Sequence, residues 1–287
     1  MILVTGATGA IGKHLVRELD QAGTPFAAFV RDEAKGQALG CEFIVGDFGD
    51  PASVAAAMRG VDVLLLNGNG ALPVEGEQPM IAQQKAVIDA ARDAGVSHIV
   101  KISAQGAREG GKLSTGAHWE IERHLKSSGV GWSILRPNSF MQNFITGAAT
   151  LIESGTVQGP FPHSRVPYVD CYDIAACAAA LLTAAGPTSR TFALTGPESL
   201  TQREIADRFG IALGTPVTSV ELSPEDMVAG LRSQGLPEWF ARDAVALWAD
   251  VAADRTLATT TGTVEELTGR APRTFDEFLT ANLAAFR

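Results

Sequence analysis

Three glycines carry the first chemistry that the chain offers. Gly6, Gly9 and Gly12 recur at every third residue in Gly6-Ala-Thr-Gly9-Ala-Ile-Gly12, directly after the apolar run Met1–Thr5. That β-branched run predicts a buried parallel strand. Ile11, Leu15 and Leu19 then fall on one helical face, and a helix is predicted over 13–22, stopped by Gly23. In such a strand–turn–helix unit each glycine has a separate task. Gly6 permits the tight turn, Gly9 lets backbone N–H groups reach a diphosphate with no Cβ in the way, and Gly12 lets the helix lie close to the strand. The helix N-terminus adds unsatisfied N–H groups and the positive end of its dipole. Thr8, Ala10 and Ile11 complete the predicted turn, and the chemistry predicted for it is dinucleotide binding.

The second strand, expected over 24–30, ends in Arg31. A ribose 2′-hydroxyl is read by an acidic residue at that place. Arg31 instead offers a planar, permanent cation, which suits a 2′-phosphate. Lys35, one turn further on, adds a second positive charge, while Asp32 and Glu33 oppose it. The expected cofactor is therefore NADPH. Asn67, Gly68 and Asn69 follow the strand at 61–66, on the sheet edge where a dinucleotide lies. The two asparagines could equally be turn formers.

The rest of the chain must position these groups. It has 287 residues, of which 46% are hydrophobic and 19% charged, enough apolar material for a core and too much for disorder. Basic residues number 23 against 32 acidic, a formal charge of −9, with no basic run. That balance excludes a typical nucleic-acid binder. Cys41, Cys171 and Cys177 form no C-x-x-C, which argues against a disulfide scaffold or a zinc site. The start does not read as a leader peptide, and the longest apolar stretch, 174–185, is too short to span a bilayer. The expectation is a cytoplasmic protein with no metal, no membrane association and a small-molecule substrate.

Strands expected at 42–45, 61–66, 98–102 and 131–135 alternate with helices at 34–39, 52–58, 80–94 and 118–128. This rhythm predicts an α/β fold, a Rossmann-like doubly wound parallel sheet. After Arg136-Pro137 it changes. A helix over 139–154, a Pro/Gly-rich loop over 157–167, a helix over 173–184 and a strand over 191–194 are expected. Helices over 204–209, 224–230, 238–250 and 275–286 follow. The domains expected are 1–136, a nucleotide-binding domain with strand returns from about 163–196, and 137–287, a smaller, mostly helical substrate part interleaved with it.

The G-x-x-G-x-x-G spacing after Val4-Thr5 resembles the extended and atypical short-chain dehydrogenases/reductases. Further blocks sharpen the likeness: Val30-Arg31-Asp32-Glu33-Ala34-Lys35, Gly46-Asp47-Phe48-Gly49-Asp50, Gly60-Val61-Asp62, Ala94–Val100, Leu135–Asn143, Tyr168–Ala175 and Leu194–Glu198. Together they resemble the NmrA-like family over nearly the whole chain. The resemblance implies that Asp47 and Phe48 line an adenine site and that Ser103 stands where the family has a strand-end serine. It also allows a homodimer. Ordinary short-chain dehydrogenases use a Tyr-x-x-x-Lys pair, and none occurs here: four residues after Tyr168 and Tyr172 stand Tyr172 and Ala176. In the corresponding helix His118 takes the tyrosine position and Glu122 the lysine position, still on one helical face. His118 could be a general acid, or a helix-start histidine touching cofactor or substrate. Glu122 cannot imitate a lysine's charge, and either orients a neighbour or is exposed. The arrangement is similar to NADPH quinone reductases and triphenylmethane-dye reductases.

Loss of the pair argues against ketone reduction, which leaves a strongly basic alkoxide. A quinone or a conjugated dye cation accepts hydride more easily, because the product is delocalised or neutral. The reading is an NADPH-dependent reductase of a small conjugated electrophile, above all a quinone. Two others remain open: a non-catalytic NADP-binding redox sensor that docks a partner protein, and a ketoreductase using His118. Asn138, Phe140, Met141 and Asn143, where the chain leaves the sheet, are the expected substrate wall. Phe161, Pro162, His163 and Trp239 or Phe240 could close it. Leu200–Ile211 reads like half of a helix-turn-helix, but no recognition helix follows.

Overall fold

A computed structural model describes residues 1–161 and 163–287, so the Pro162 expectation lies outside the described residues. Nine strands occur among them: β1 (Ile2–Thr5), β2 (Phe26–Val30), β3 (Phe43–Val45), β4 (Val63–Leu66), β5 (His98–Ile102), β6 (Gly131–Pro137), β7 (Thr156–Gly159), β8 (Thr191–Leu194) and β9 (Thr218–Glu221). Seven form one parallel sheet in the order β3-β2-β1-β4-β5-β6-β8. The winding direction reverses between β1 and β4, and such a switch point opens a crevice at the carboxyl ends of the strands. The chain divides into two compact units. The first comprises 1–137, 171–194 and 266–269, and the second 138–170, 195–265 and 270–287.

In the first unit β1, β2 and β5 are buried at every position, as a parallel sheet covered on both faces requires. Leu3, Leu64, Leu66 and Ile99 pack on one face against Val87 and Ile88 of the helix Pro79–Asp93 and Ile121 of the helix Leu113–Ser127. Near the other helix pair, Ala10–Gln21 and Cys171–Leu182, the His14 ring meets Tyr172 edge-on at 5.8 Å. Small residues let these helices approach, since Ala175 and Ala178 are wholly buried.

The second unit has an aromatic core. Phe144, Phe209, Phe275 and Phe286 meet at ring distances of 5.0–5.8 Å, mostly edge to face. Capping boxes at Thr201/Glu204 and Thr274/Glu277 start the helices that supply Phe209 and Phe275. The segment after Ile211 matches the expectation of no recognition helix: Gln202–Leu213 ends at left-handed Gly214 and is followed by β9.

Three expectations change. The helix expected at 118–128 begins at Leu113, so His118 sits in its second turn and not at its start. The helix expected over 139–154 is two, Asn143–Thr146 and Ala148–Ser154, divided at Gly147. The loop expected over 157–167 contains β7, which pairs in parallel with β9. No local signal could give that pairing, because its partner lies some sixty residues on. Gln202 braces it by donating to the carbonyls of Val157 (2.8 Å) and Val220 (2.9 Å).

Backbone approaches backbone closely at the glycine turn. A Cβ on Gly12 would lie 2.2 Å from the Gly6 carbonyl oxygen, and Gly6 itself has φ +66°. Gly12→Ala should therefore lower unfolding stability by about 1–3 kcal/mol or more, through forced separation of helix and strand. Gly230→Ala, in an exposed helical position with open space around it, should instead stabilise by about 0.5–1 kcal/mol. Chemical denaturation of both variants checks the contrast.

Candidate cofactor and active site

The glycine turn ends in an open helix N-terminus. Gly9 starts the helix Ala10–Gln21 with no side-chain cap and no acidic residue in the first turn, and Gly9 and Ala10 are exposed. Its orphan N–H groups and dipole can therefore take an anion, and a bare turn is what a diphosphate needs. The Thr5 hydroxyl lies 2.8 Å from the carbonyls of Leu65 and Asn67 and accepts from the Asn67 N–H at 2.9 Å. This bond set fixes the end of β4 beside the turn. A Cβ on Gly6 would come within 2.9 Å of the Asn67 side-chain nitrogen, so Asn67 reaches the turn. Asn69 is exposed two residues on.

Gly68 meets two side chains. A Cβ there would stand 2.9 Å from Gln84 Nε2 and 3.5 Å from the Phe48 ring. Phe48 is stacked on Phe29, with ring centres 5.8 Å apart. Gln84 is 1% exposed, and its Oε1 has no hydrogen-bond partner among the described residues. A buried acceptor left unpaired carries a desolvation cost that a donor from a bound ligand would remove. Sequence reasoning missed Gln84. The signal was a polar residue on the buried face of Ile81 and Ile88.

Arg31 leaves the end of β2 with its side chain 66% exposed, and its Nε stands 4.0 Å from Asp47. Asp32 beside it is engaged locally. Its carboxylate accepts the Lys35 backbone N–H at 2.9 Å and caps the short helix Glu33–Gln37. Lys35 is exposed. Asp47 accepts from the Gly49 N–H at 2.6 Å, which holds its turn. Turn, cation and unpaired acceptor are all consistent with a phosphorylated dinucleotide along this edge.

The helix Leu113–Ser127 carries the second group of residues. Glu122 is wholly buried and is not exposed. Arg136 donates to it twice (2.8 and 2.7 Å), Ser103 Oγ once (2.6 Å) and Lys126 once (3.1 Å). Burial alone would raise its pKa, but these partners hold it below the usual carboxylate range. Glu122 thus orients Ser103 and Arg136, and the Ser103 proton is committed to it.

Lys101 is the residue that sequence reasoning overlooked. It lies on β5, fully buried, between Val100 and Ile102. Its Nζ donates to the Ile102 carbonyl and stands 3.3 Å from His118 Nδ1. Burial pushes its pKa down to about 7, against the opposing pull of Glu122. His118 is held well below its ordinary value by burial, then by Lys101 and Arg136, so its imidazole is neutral at pH 7. The legible signal was a single charge within an otherwise apolar β-branched strand.

Within the second unit a cavity of about 520 Å³ is lined by Asn143, Phe144, Phe161, Tyr168, Met227 and Trp248, among others. Of the four expected wall residues, Asn143 lines it. The Asn138 amide is spent on the Leu257 carbonyl (2.8 Å) and the Ser139 N–H (2.7 Å). Met141 is packed in the aromatic core, and Phe140 is bridged to Val169. Trp239 and Phe240 contact each other edge-on at 5.6 Å and are not among the lining residues, and neither is His163. Trp248, further along the same helix Glu238–Ala253, lines the cavity instead.

Two outcomes follow from the charges. Glu122→Ala leaves the Arg136 guanidinium without its buried partner and should cost about 3–5 kcal/mol in unfolding free energy. Since the folded carboxyl is depressed, the loss should be complete above about pH 4.5 and shrink as pH falls further. For Lys101 the unfolded chain binds the proton more tightly than the folded one. Stability should therefore rise with pH from about 7 towards 10.5, by at most about 1.4 kcal/mol per pH unit. Lys101→Met should abolish that slope in urea melts.

The model of the NmrA-like family matches residues 1–279. An NAD(P)H azoreductase of Xenophilus azovorans is 36% identical over 100% of this chain and 99% of its own. A (4-alkanoyl-5-oxo-2,5-dihydrofuran-3-yl)methyl phosphate reductase of Streptomyces griseus is 33% identical, with the same coverage. The NADPH complex of the quinone oxidoreductase QOR2 of Escherichia coli superposes with a TM-score of 0.86 at 30% identity, covering 99% of this chain and 100% of that one. The chain belongs to the NmrA-like family.

Proposed function

We propose that this chain, an NAD(P)H-dependent oxidoreductase, uses NADPH to reduce a small conjugated electrophile, with quinones as the preferred class. The observation that carries the reading is the helix Leu113–Ser127, where a buried carboxylate bound to Arg136 stands in place of an alcohol dehydrogenase's lysine. Such a site offers no tyrosine–lysine pair to protonate the basic alkoxide that a ketone leaves. It suits an acceptor whose reduced form is delocalised. The similar proteins support this class: their names describe an azo compound, a quinone and an unsaturated lactone, all with conjugated double bonds.

The chain's own residues have distinct tasks in this reading. Gly6, Thr8, Gly9, Ala10, Ile11 and Gly12 would hold the diphosphate against the helix N-terminus. Arg31 and Lys35 would hold the 2′-phosphate, and Asp47, Phe48 and Gln84 would meet the adenine. Asn67, Gly68, Asn69 and Ser103 would border the remainder of the cofactor. Bound NADPH supplies the hydride. In the second unit, Asn143 offers an amide hydrogen bond in a cavity that also presents the rings of Phe144, Phe161, Tyr168 and Trp248, which fits a flat aromatic acceptor.

Arg31 gives the experiment. A charge-assisted bond to the 2′-phosphate is worth about 1.5–3 kcal/mol, or about 10–150-fold in affinity. NADPH should sustain quinone reduction with at least about tenfold higher kcat/KM than NADH. Arg31→Ala should erase most of that gap by weakening NADPH alone, and the preference should shrink with salt. Equal use of both cofactors at low salt would remove Arg31 from this role and NADPH from the reading.

A further inference from the structure

The proposed reduction leaves one proton to be found. Hydride addition turns a neutral quinone into a hydroquinone monoanion, and a single proton completes the product. The two tyrosines offer no ready acid. Burial pushes the phenol of half-buried Tyr168 up to about 12, and Tyr172 meets the His14 ring on the helix pair that flanks the sheet.

We propose, resting on the quinone-reductase reading above, that Lys101 is a positioning residue that holds His118 with Nδ1 as acceptor, so that His118 Nε2–H donates the proton to the reduced quinone. The geometry carries this. An ammonium has three donors and no acceptor, so the 3.3 Å contact to Nδ1 makes that nitrogen the acceptor. The proton of the neutral imidazole then resides on Nε2, the nitrogen that Lys101 does not engage. Lys101 is wholly buried, whereas His118 is partly exposed, so of the two it is the imidazole that a ligand can reach.

The surroundings suit a proton that is held but can be released. Lys101 shares a sheet face with Ile99, and its register partners, Leu66 on β4 and Ile134 on β6, are apolar. The charged groups on that face are Glu122 and Lys126 of the same helix as His118, and Arg136 of β6. Lys85 and Asp89 of the neighbouring helix are paired with Glu120 and His124. Glu122 is the single anion pulling on Lys101, and three cationic or hydroxyl partners already share it. Burial prevails, and the ammonium loses its proton near neutrality.

The transfer balances. The hydroquinone O–H bond forms as Nε2–H breaks, and Nδ1–H forms as one Nζ–H breaks. Imidazole is left neutral in the opposite tautomer, and Lys101 is left as a neutral amine. A solvent proton then enters at Nε2, and the Nδ1 proton returns to Nζ. One solvent proton is consumed per turnover.

The test has a spectroscopic and a kinetic arm. The ¹⁵N NMR signals of His118, one of five histidines, should show unprotonated Nδ1 and protonated Nε2 below about pH 7. Lys101→Met should yield mixed tautomers. With NADPH and a quinone, kcat should fall as pH rises through about 7, because only the ammonium fixes the acceptor. His118→Phe should lower quinone kcat by about 10²–10⁴-fold, and Lys101→Met should also lower it, with NADPH affinity unchanged in both. A cationic triphenylmethane dye, which hydride alone neutralises, should be reduced at a rate that neither substitution changes. Should Lys101→Met fail to fold, the wild-type tautomer and pH profile decide. A mixed tautomer, a flat quinone profile, or equal loss with both acceptors overturns the relay. A wild type that binds NADPH but reduces no conjugated acceptor overturns the reading on which it rests.

Discussion

The approach of one backbone to another, at Gly6 and Gly12, is the constraint on which the first unit depends. With no Cβ on Gly12, the helix Ala10–Gln21 starts against the end of β1, where a Cβ would sit 2.2 Å from a carbonyl oxygen. That proximity sets the helix axis over the sheet and leaves its N-terminus bare at the carboxyl edge. Thr5 then ties the end of β4 to the same point. The ends of β1, β2 and β4 thus deliver the turn, Arg31 and Asn67–Asn69 to one edge without any long loop. Parallel strands force this, since their ends share a direction.

A second constraint lies under that edge. Glu122 is a charge that cannot be hydrated, and the fold answers with four hydrogen bonds from three elements: β5's end, β6 and its own helix. Such a group contributes specificity more than net stability, because its desolvation offsets its pairing. The consequence is chemical. With the carboxylate saturated, Lys101 keeps only a partial counter-charge, and burial decides its protonation.

Much of this was legible in the residues. The glycine spacing, the β-branched runs and the change of rhythm after Arg136-Pro137 express local rules of turn, period and length, and the sheet follows them strand by strand. The place of Arg31 at the end of β2 was legible because the apolar run before it reads as a strand. The pairing of β7 with β9 was not, since each is a short segment whose partner is distant in sequence. Lys101 and Gln84 were overlooked for a different reason. Each is one polar residue in an apolar pattern, and the pattern was read for its period and not for its exception. Asn138 and Met141 show the converse: a side chain at a suggestive place can be taken up by a carbonyl distant in sequence or by the core.

The central claim is that the site, with no tyrosine–lysine pair, is built for conjugated acceptors and not for ketones. Single-turnover absorbance of the reduced nicotinamide, with enzyme preloaded with NADPH and mixed with a quinone or with a simple saturated ketone, tests it most directly. Rapid oxidation by the quinone, with none by the ketone on the same timescale, is the expected result. Tight NADPH binding with no oxidation by either acceptor would contradict the account and favour a cofactor sensor, and faster oxidation by the ketone would contradict it in favour of acid-assisted carbonyl reduction.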